Sequence, residues 1–179
     1  KINHSIAFQR RVDKNQHGFR NVFSVLEPEE ESFLLKSSSQ HLYDAGEVIV
    51  RQNRPFSDIY VIVKGEVRVE LDFEGANDCG APVELARLRR GDIFGEVSFV
   101  DNEPTSASVI AGTDAEILVI DVDVIQSLLL GDPTFGRRFF HSIAITLARR
   151  LRETNPRVLL AEQARANDGE QLILDEAGD

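Results

Sequence analysis

Gly91-Asp92-Ile93-Phe94-Gly95-Glu96-Val97-Ser98-Phe99-Val100-Asp101-Asn102-Glu103-Pro104-Thr105-Ser106-Ala107-Ser108-Val109-Ile110-Ala111 is the stretch from which the rest of the chain is read. Gly91-Asp92 is a turn signal. Gly95 carries no Cβ, so backbone N–H groups there can approach a ligand closely. Glu96 to Val100 suits a single helical turn, and Asp101-Asn102-Glu103-Pro104 stops it, because proline restricts the preceding residue and donates no hydrogen bond. Ser106 to Ala111 returns to the small and β-branched residues of a strand. A glycine, a helical turn and a strand start in this order predict a concave loop of N–H groups, which suits an anion.

Upstream, the pattern from Gln40 is that of strands. Val48-Ile49-Val50 follows Ala45-Gly46, and Ile59-Tyr60-Val61-Ile62-Val63 is a continuous apolar run. After Lys64-Gly65, Val67, Val69 and Leu71 alternate with Glu66, Arg68 and Glu70, as in a half-buried strand. The segment 74–82 reads as a hairpin loop with Cys79 at its tip, and Val83 to Leu88 as the return strand. No basic or histidine neighbour would activate the Cys79 thiol, so it is read as incidental. Glu116 to Ile120 is the last strand. Short strands at regular spacing predict a sandwich or barrel.

Phe94-Gly95-Glu96-Val97-Ser98-Phe99, followed by Pro104-Thr105-Ser106-Ala107-Ser108-Val109, resembles the phosphate-binding cassette of the cyclic nucleotide-binding domain family. The resemblance runs from about Leu26 to Leu151. It implies a mainly β fold with flanking α-helices, a jelly-roll-like β-roll, and cAMP or cGMP as ligand. It also implies roles for Gly95, Glu96, Val97, Ser98, Thr105, Ser106 and Ala107. Gly95 and the residues after it would offer N–H groups to the cyclic phosphate, Glu96 would accept from the ribose 2′-hydroxyl, and residue 106 would add an N–H. One position departs from the family: the arginine that follows the proline and pairs with the phosphate is here Thr105. A charge-assisted contact contributes about 1.5–3 kcal/mol and a neutral one about 0.5–1.5. The deficit of roughly 1–2 kcal/mol corresponds to an affinity about five- to thirty-fold lower. Arg87, Arg89 and Arg90 are the nearest substitutes in the sequence, although Arg89-Arg90-Gly91 reads as an exposed turn. Ser106 is a weak pointer toward cGMP.

The flanks read as helices. Phe19, Val22, Phe23 and Leu26 recur at helical spacing, and Pro28-Glu29-Glu30-Glu31 is a helix start whose acids match the free N–H groups of the first turn. Val122, Ile125, Leu128 and Leu129 share one face. Gly131-Asp132-Pro133 ends that helix and begins another, with Asp132 as its cap. The second helix carries Phe135, Phe139, Ile143, Leu147 and Leu151 at four-residue steps, widened by Phe140, Ala144 and Ala148. So broad a stripe predicts a homodimer or partner surface along 133–154. Arg137, Arg138, Arg149, Arg150 and Arg152 read as the solvated side. The domain plan is a basic N-terminal helical arm over 1–25, the domain proper over 26–155 (roll 40–120, helices 121–155), and an acidic tail or linker over 156–179. A first residue Lys1 in a chain without methionine reads as a piece of a longer protein.

The totals narrow the function. A net charge of −10 argues against nucleic acid as a partner. The segment after Asn155 is too short and acidic for a DNA-reading helix-turn-helix. One cysteine rules out an internal disulfide framework and suits a cytoplasmic setting. No apolar run reaches membrane-spanning length. The four histidines, His4, His17, His41 and His141, fall outside the predicted strands, so neither a metal site nor a catalytic triad is suggested and no cofactor is expected. Two readings of the stretch 95–107 stand side by side. In one it binds a nucleotide and the chain is a non-catalytic sensor. In the other Gly95, Glu96 and the small residues serve the turn and its packing, and the chain is an interaction scaffold.

Overall fold

The computed structural model describes residues 19, 22–55, 58–72 and 82–153. Most of the N-terminal arm, the hairpin tip with Cys79 and the acidic tail lie outside these residues. The chain divides into two compact units, 1–142 and 143–179, and both sheets belong to the first.

Helix α1 (Pro28–Ser37) begins as its sequence predicts. Pro28 stands at its start, and the Glu30 carboxylate accepts from the backbone N–H of Glu27 at 2.8 Å. Eight strands follow: β1 (Ser39–Tyr43), β2 (Val48–Val50), β3 (Ile59–Lys64), β4 (Glu66–Leu71), β5 (Val83–Arg89), β6 (Ile93–Phe94), β7 (Ser108–Ala111) and β8 (Ala115–Ile120). They form two antiparallel four-stranded sheets, ordered β1-β8-β3-β6 and β2-β7-β4-β5. This is the β-roll with flanking helices that the sequence implied.

The continuous apolar run of β3 is buried on both faces. Tyr60 and Ile62 point into the roll among Val50, Val67, Phe94, Val109 and Ile117. Ile59 and Val61 take the opposite face, and α1 packs on β8 and on α3 (Val122–Gly131). β4 alternates only in part, with Val67 fully buried and its neighbours half-buried.

β1 corrects the sequence reading, because it places His41 inside a strand. Its partner is β8, with His41 opposite Ile117 and Tyr43 opposite Ala115. As an edge strand it stays exposed or half-buried throughout, so no apolar alternation betrays it. The His41 ring lies 3.0 Å from the Ser39 hydroxyl and stacks along Tyr43.

After α3 a helix covers 133–153, which we call α4. Asp132 caps it, accepting from the Thr134 N–H at 2.8 Å. Phe135 and Phe139 are buried, and Ser142 accepts from the Val25 N–H at 3.2 Å. Phe19 and Phe23 meet at 4.9 Å with their rings tilted, and Phe23 stacks on Phe139 at 5.7 Å, so the segment before α1 packs as its spacing predicts. Arg138 is not on a solvated side: it is half-buried and forks onto Glu30, with Nε donating at 3.0 Å and Nη2 donating to the other carboxylate oxygen.

Candidate functional site

β6 delivers Phe94 onto the Tyr60 ring, stacked at 4.6 Å with 4° between the planes. Gly95 then takes φ +85° and caps α2 (Glu96–Asp101). A Cβ at Gly95 would sit 2.3 Å from the carbonyl oxygen of Asp58 and 3.1 Å from the Tyr60 ring. Glycine is therefore demanded here by the fold itself, with or without a ligand. Glu96 and Ser98 are buried while Val97 is exposed, so α2 turns its carboxylate inward. Its first turn leaves N–H groups without intrahelical partners. Asn102, at φ +57°, ends the helix two residues before Pro104.

Thr105 is buried and fully occupied. Its N–H donates to Arg54 O at 3.0 Å, and its carbonyl accepts from Asn53 N–H at 2.8 Å. Its hydroxyl donates to Arg51 O at 2.6 Å and accepts from Arg54 N–H at 3.0 Å. Three residues on, the Ser108 hydroxyl accepts from the Gln52 N–H at 3.0 Å. The Gln52 side-chain oxygen accepts in turn from the Asp72 N–H at 2.9 Å. The loop 51–54 is thus fastened on both sides, with Asn53 in the left-handed region at φ +59°. Both halves of the 95–107 stretch touch the connection between β2 and β3: Gly95 lies against Asp58, Thr105 against residues 51–54.

Two clefts share Ile49 and Tyr60 and differ in charge. One, of about 190 Å³, is lined by Ile49, Val50, Arg51, Arg54 and Tyr60. The other, of about 450 Å³, includes His41, Tyr43, Asp58 and Asp121. Burial pushes the Asp58 carboxyl above its usual range, partly offset by the N–H of Val122, which donates to it at 2.9 Å. Burial likewise raises the Tyr60 phenol, reinforced by the nearby Asp58, and keeps it neutral. The arginine-lined cleft is the one whose charge suits an anion.

The expected site residues fall into two groups. Gly95, Glu96, Val97 and Ser98 form the start of α2; Thr105, Ser106 and Ala107 run into β7, with Ala107 buried and Ser106 exposed. Of the residues expected as substitutes for an arginine at position 105, Arg87 is held by Glu84 at 2.7 Å and Glu66 at 3.0 Å, and Arg89 lies 3.6 Å from Glu66. Arg90 is exposed on its turn. Arg51 and Arg54 were not singled out by the sequence. Their signal was Asn53 between them, a residue type tolerant of left-handed turns.

The α2 helix also reaches α4. Phe99 meets Phe139 edge-on at 5.7 Å and Phe140 at 6.3 Å.

Comparison with known proteins agrees with this geometry. Residues 40–132, more than half the chain, match the sequence profile of the cyclic nucleotide-binding domain. The cyclic AMP receptor protein of Thermus thermophilus is 33% identical over 134 residues, covering 75% of this chain and 58% of that protein. A cAMP-dependent protein kinase regulatory subunit of Aspergillus fumigatus is 32% identical over 127 residues, covering 69% of this chain and 28% of that protein. The chain thus spans under two thirds of the length of these relatives. In fold it is similar to a cyclic nucleotide-binding domain from Methylobacillus flagellatus, with a TM-score of 0.69 at 23% identity, over 79% of this chain and 82% of that one.

Proposed function

The chain belongs to the cyclic nucleotide-binding domain family, and from that premise we infer that it is a non-catalytic regulatory domain that takes cAMP or cGMP weakly. The observation that carries this reading is Thr105. It stands where the family places an arginine, and its hydroxyl is already committed to Arg51 O and Arg54 N–H. The remainder of the cassette supports a nucleotide: Glu96 for the ribose hydroxyl, and the N–H groups of the α2 first turn and of Ser106 for the phosphate. The loss of one charge-assisted contact, about 1–2 kcal/mol, lowers affinity by about five- to thirty-fold.

The readout runs through α4. A ligand on α2 shifts an equilibrium only by binding its two states differently, and the contact of Phe99 with Phe139 and Phe140 supplies an element both states would share. Partners are a cyclic nucleotide and an effector protein, with no DNA contacted by this chain, and the setting is cytoplasmic. No helix of the described residues is long and apolar enough to cross a membrane.

Calorimetry with cAMP and cGMP tests the reading. Dissociation constants above the micromolar range are expected, and a value below it overturns the weak-binding assignment. A second reading, a ligand-independent scaffold that dimerises or docks through 133–154, is favoured by an exposed apolar side chain on that helix, Phe140 at 44%. Absence of heat with either nucleotide, together with self-association in sedimentation that Phe140→Ser abolishes, selects it.

A further inference from the structure

The missing cassette charge is the chain's departure from its family, and the structure offers a replacement from another loop. Thr105 fastens the segment 51–54 by backbone and hydroxyl bonds, so the two arginines of that segment stand next to the position where the charge is absent. Both residues line the 190 Å³ cleft, whose remaining walls are Ile49, Val50 and Tyr60. Neither has an ion-pair partner among the described residues, whereas Arg68, Arg87, Arg89 and Arg138 are all paired with carboxylates. In a chain of net charge −10, two guanidiniums with no carboxylate partner among the described residues, set beside an apolar and aromatic wall, are a local concentration of positive charge. The neighbouring acidic cleft would repel an anion, so the two clefts sort ligand charge around one tyrosine.

We propose that Arg51 and Arg54 supply the positive charge that residue 105 lacks, and that they clamp the phosphodiester of the nucleotide from the β2–β3 side. The cleft is smaller than a whole nucleotide site, so it takes the phosphate while sugar and base extend toward Glu96. The backbone of the clamp is preset: Asn53 turns it, Thr105 and Ser108 hold it, and only the two side chains must order on binding. Guanidinium forks match phosphate geometry, which lysine does not reproduce. This rests on the reading of the 95–107 stretch as a nucleotide site.

The test is titration calorimetry on the whole chain with cAMP, cGMP and, as the phosphate-free probe, adenosine. In Arg51→Gln/Arg54→Gln the dissociation constants for both cyclic nucleotides rise at least tenfold, while adenosine is unaffected and the melting temperature is unchanged, because neither side chain holds an ion pair among the described residues. Each single substitution gives part of the loss, and added salt weakens wild type more than the double variant. Equal cyclic nucleotide binding by wild type and the double variant overturns the clamp and leaves the nucleotide reading standing. If wild type binds neither nucleotide but Thr105→Arg binds, the clamp is also overturned while the pocket is real. If neither protein binds, both readings fall.

Discussion

The ring of Phe99 meets the ring of Phe139 edge-on, with centroids 5.7 Å apart, and so ties α2 to α4. Phe99 is half-buried while Phe139 is fully buried, clasped also by Phe23 and Phe135. Phe99→Ala removes the edge contact and part of the burial, and stability should fall by about 2–3 kcal/mol. The discriminating measurement is hydrogen exchange over residues 133–142 with and without saturating cyclic nucleotide. Wild type should show a ligand-dependent change there and Phe99→Ala little or none; an unchanged response removes Phe99 from the route.

Thr105 holds a loop as well as lacking a charge. Thr105→Val keeps the shape but leaves Arg51 O and Arg54 N–H without their hydroxyl partner, and should cost about 1–2 kcal/mol in denaturant melts. Thr105→Arg loses the same bonds while adding a guanidinium. It should bind cyclic nucleotide several-fold more tightly and melt at a lower temperature, and Glu96→Ala should remove much of the gained affinity. A stabilised Thr105→Arg would mean that the hydroxyl ties contribute nothing.

Gly95→Ala should be destabilising by about 2 kcal/mol or more, since its Cβ meets the Asp58 carbonyl and its φ is positive. Thermal melting without ligand is the measurement. A full-strength melt would return Gly95 to a purely ligand-facing role.

The Glu30–Arg138 fork makes a prediction about acid. The Arg138 guanidinium, through its hydrogen bonds, holds the Glu30 carboxyl below the usual range. A depressed carboxylate contributes stability above its unfolded pKa and loses it as pH falls through the folded value. Glu30→Gln should therefore be less stable than wild type by about 1 kcal/mol at neutral pH. The gap should close as pH drops below the ordinary glutamate range. A gap independent of pH would show that the charge is irrelevant and only the contact with the Glu27 N–H counts.

What was legible in the sequence is what local chemistry encodes. Gly91-Asp92 turns, Pro28 starts a helix and Asp132 caps one, because each effect acts within a few residues. The roll interior was legible where apolar residues form an unbroken run or alternate, as in β3 and the start of β4. β1 was not, since an exposed edge strand needs no apolar face and Ser39-Gln40-His41 offers none. Arg138 was misread as solvated because its partner lies 108 residues away. Arg51 and Arg54 went unnoticed for the same reason: only the pairing of their loop with Thr105 brings them beside the cassette. The occupied hydroxyl of Thr105 was invisible too, because residue type alone does not tell a lost charge from a gained tether.

The tether around residues 51–54 fixes how a signal can leave this domain. A rim locked by its own hydrogen bonds has little freedom to adopt a second position, so the proposed ligand contacts with it would raise affinity equally in every conformer. Such contacts cannot act as a switch, however strong they become. On the proposed reading, the information in a binding event would pass through α2, where Phe99 meets α4, and a change that loosened the rim would divert free energy from signalling into loop ordering. On the proposed reading the domain would be a one-sided device, with a fixed jaw at β2–β3 and its readout where α2 meets α4.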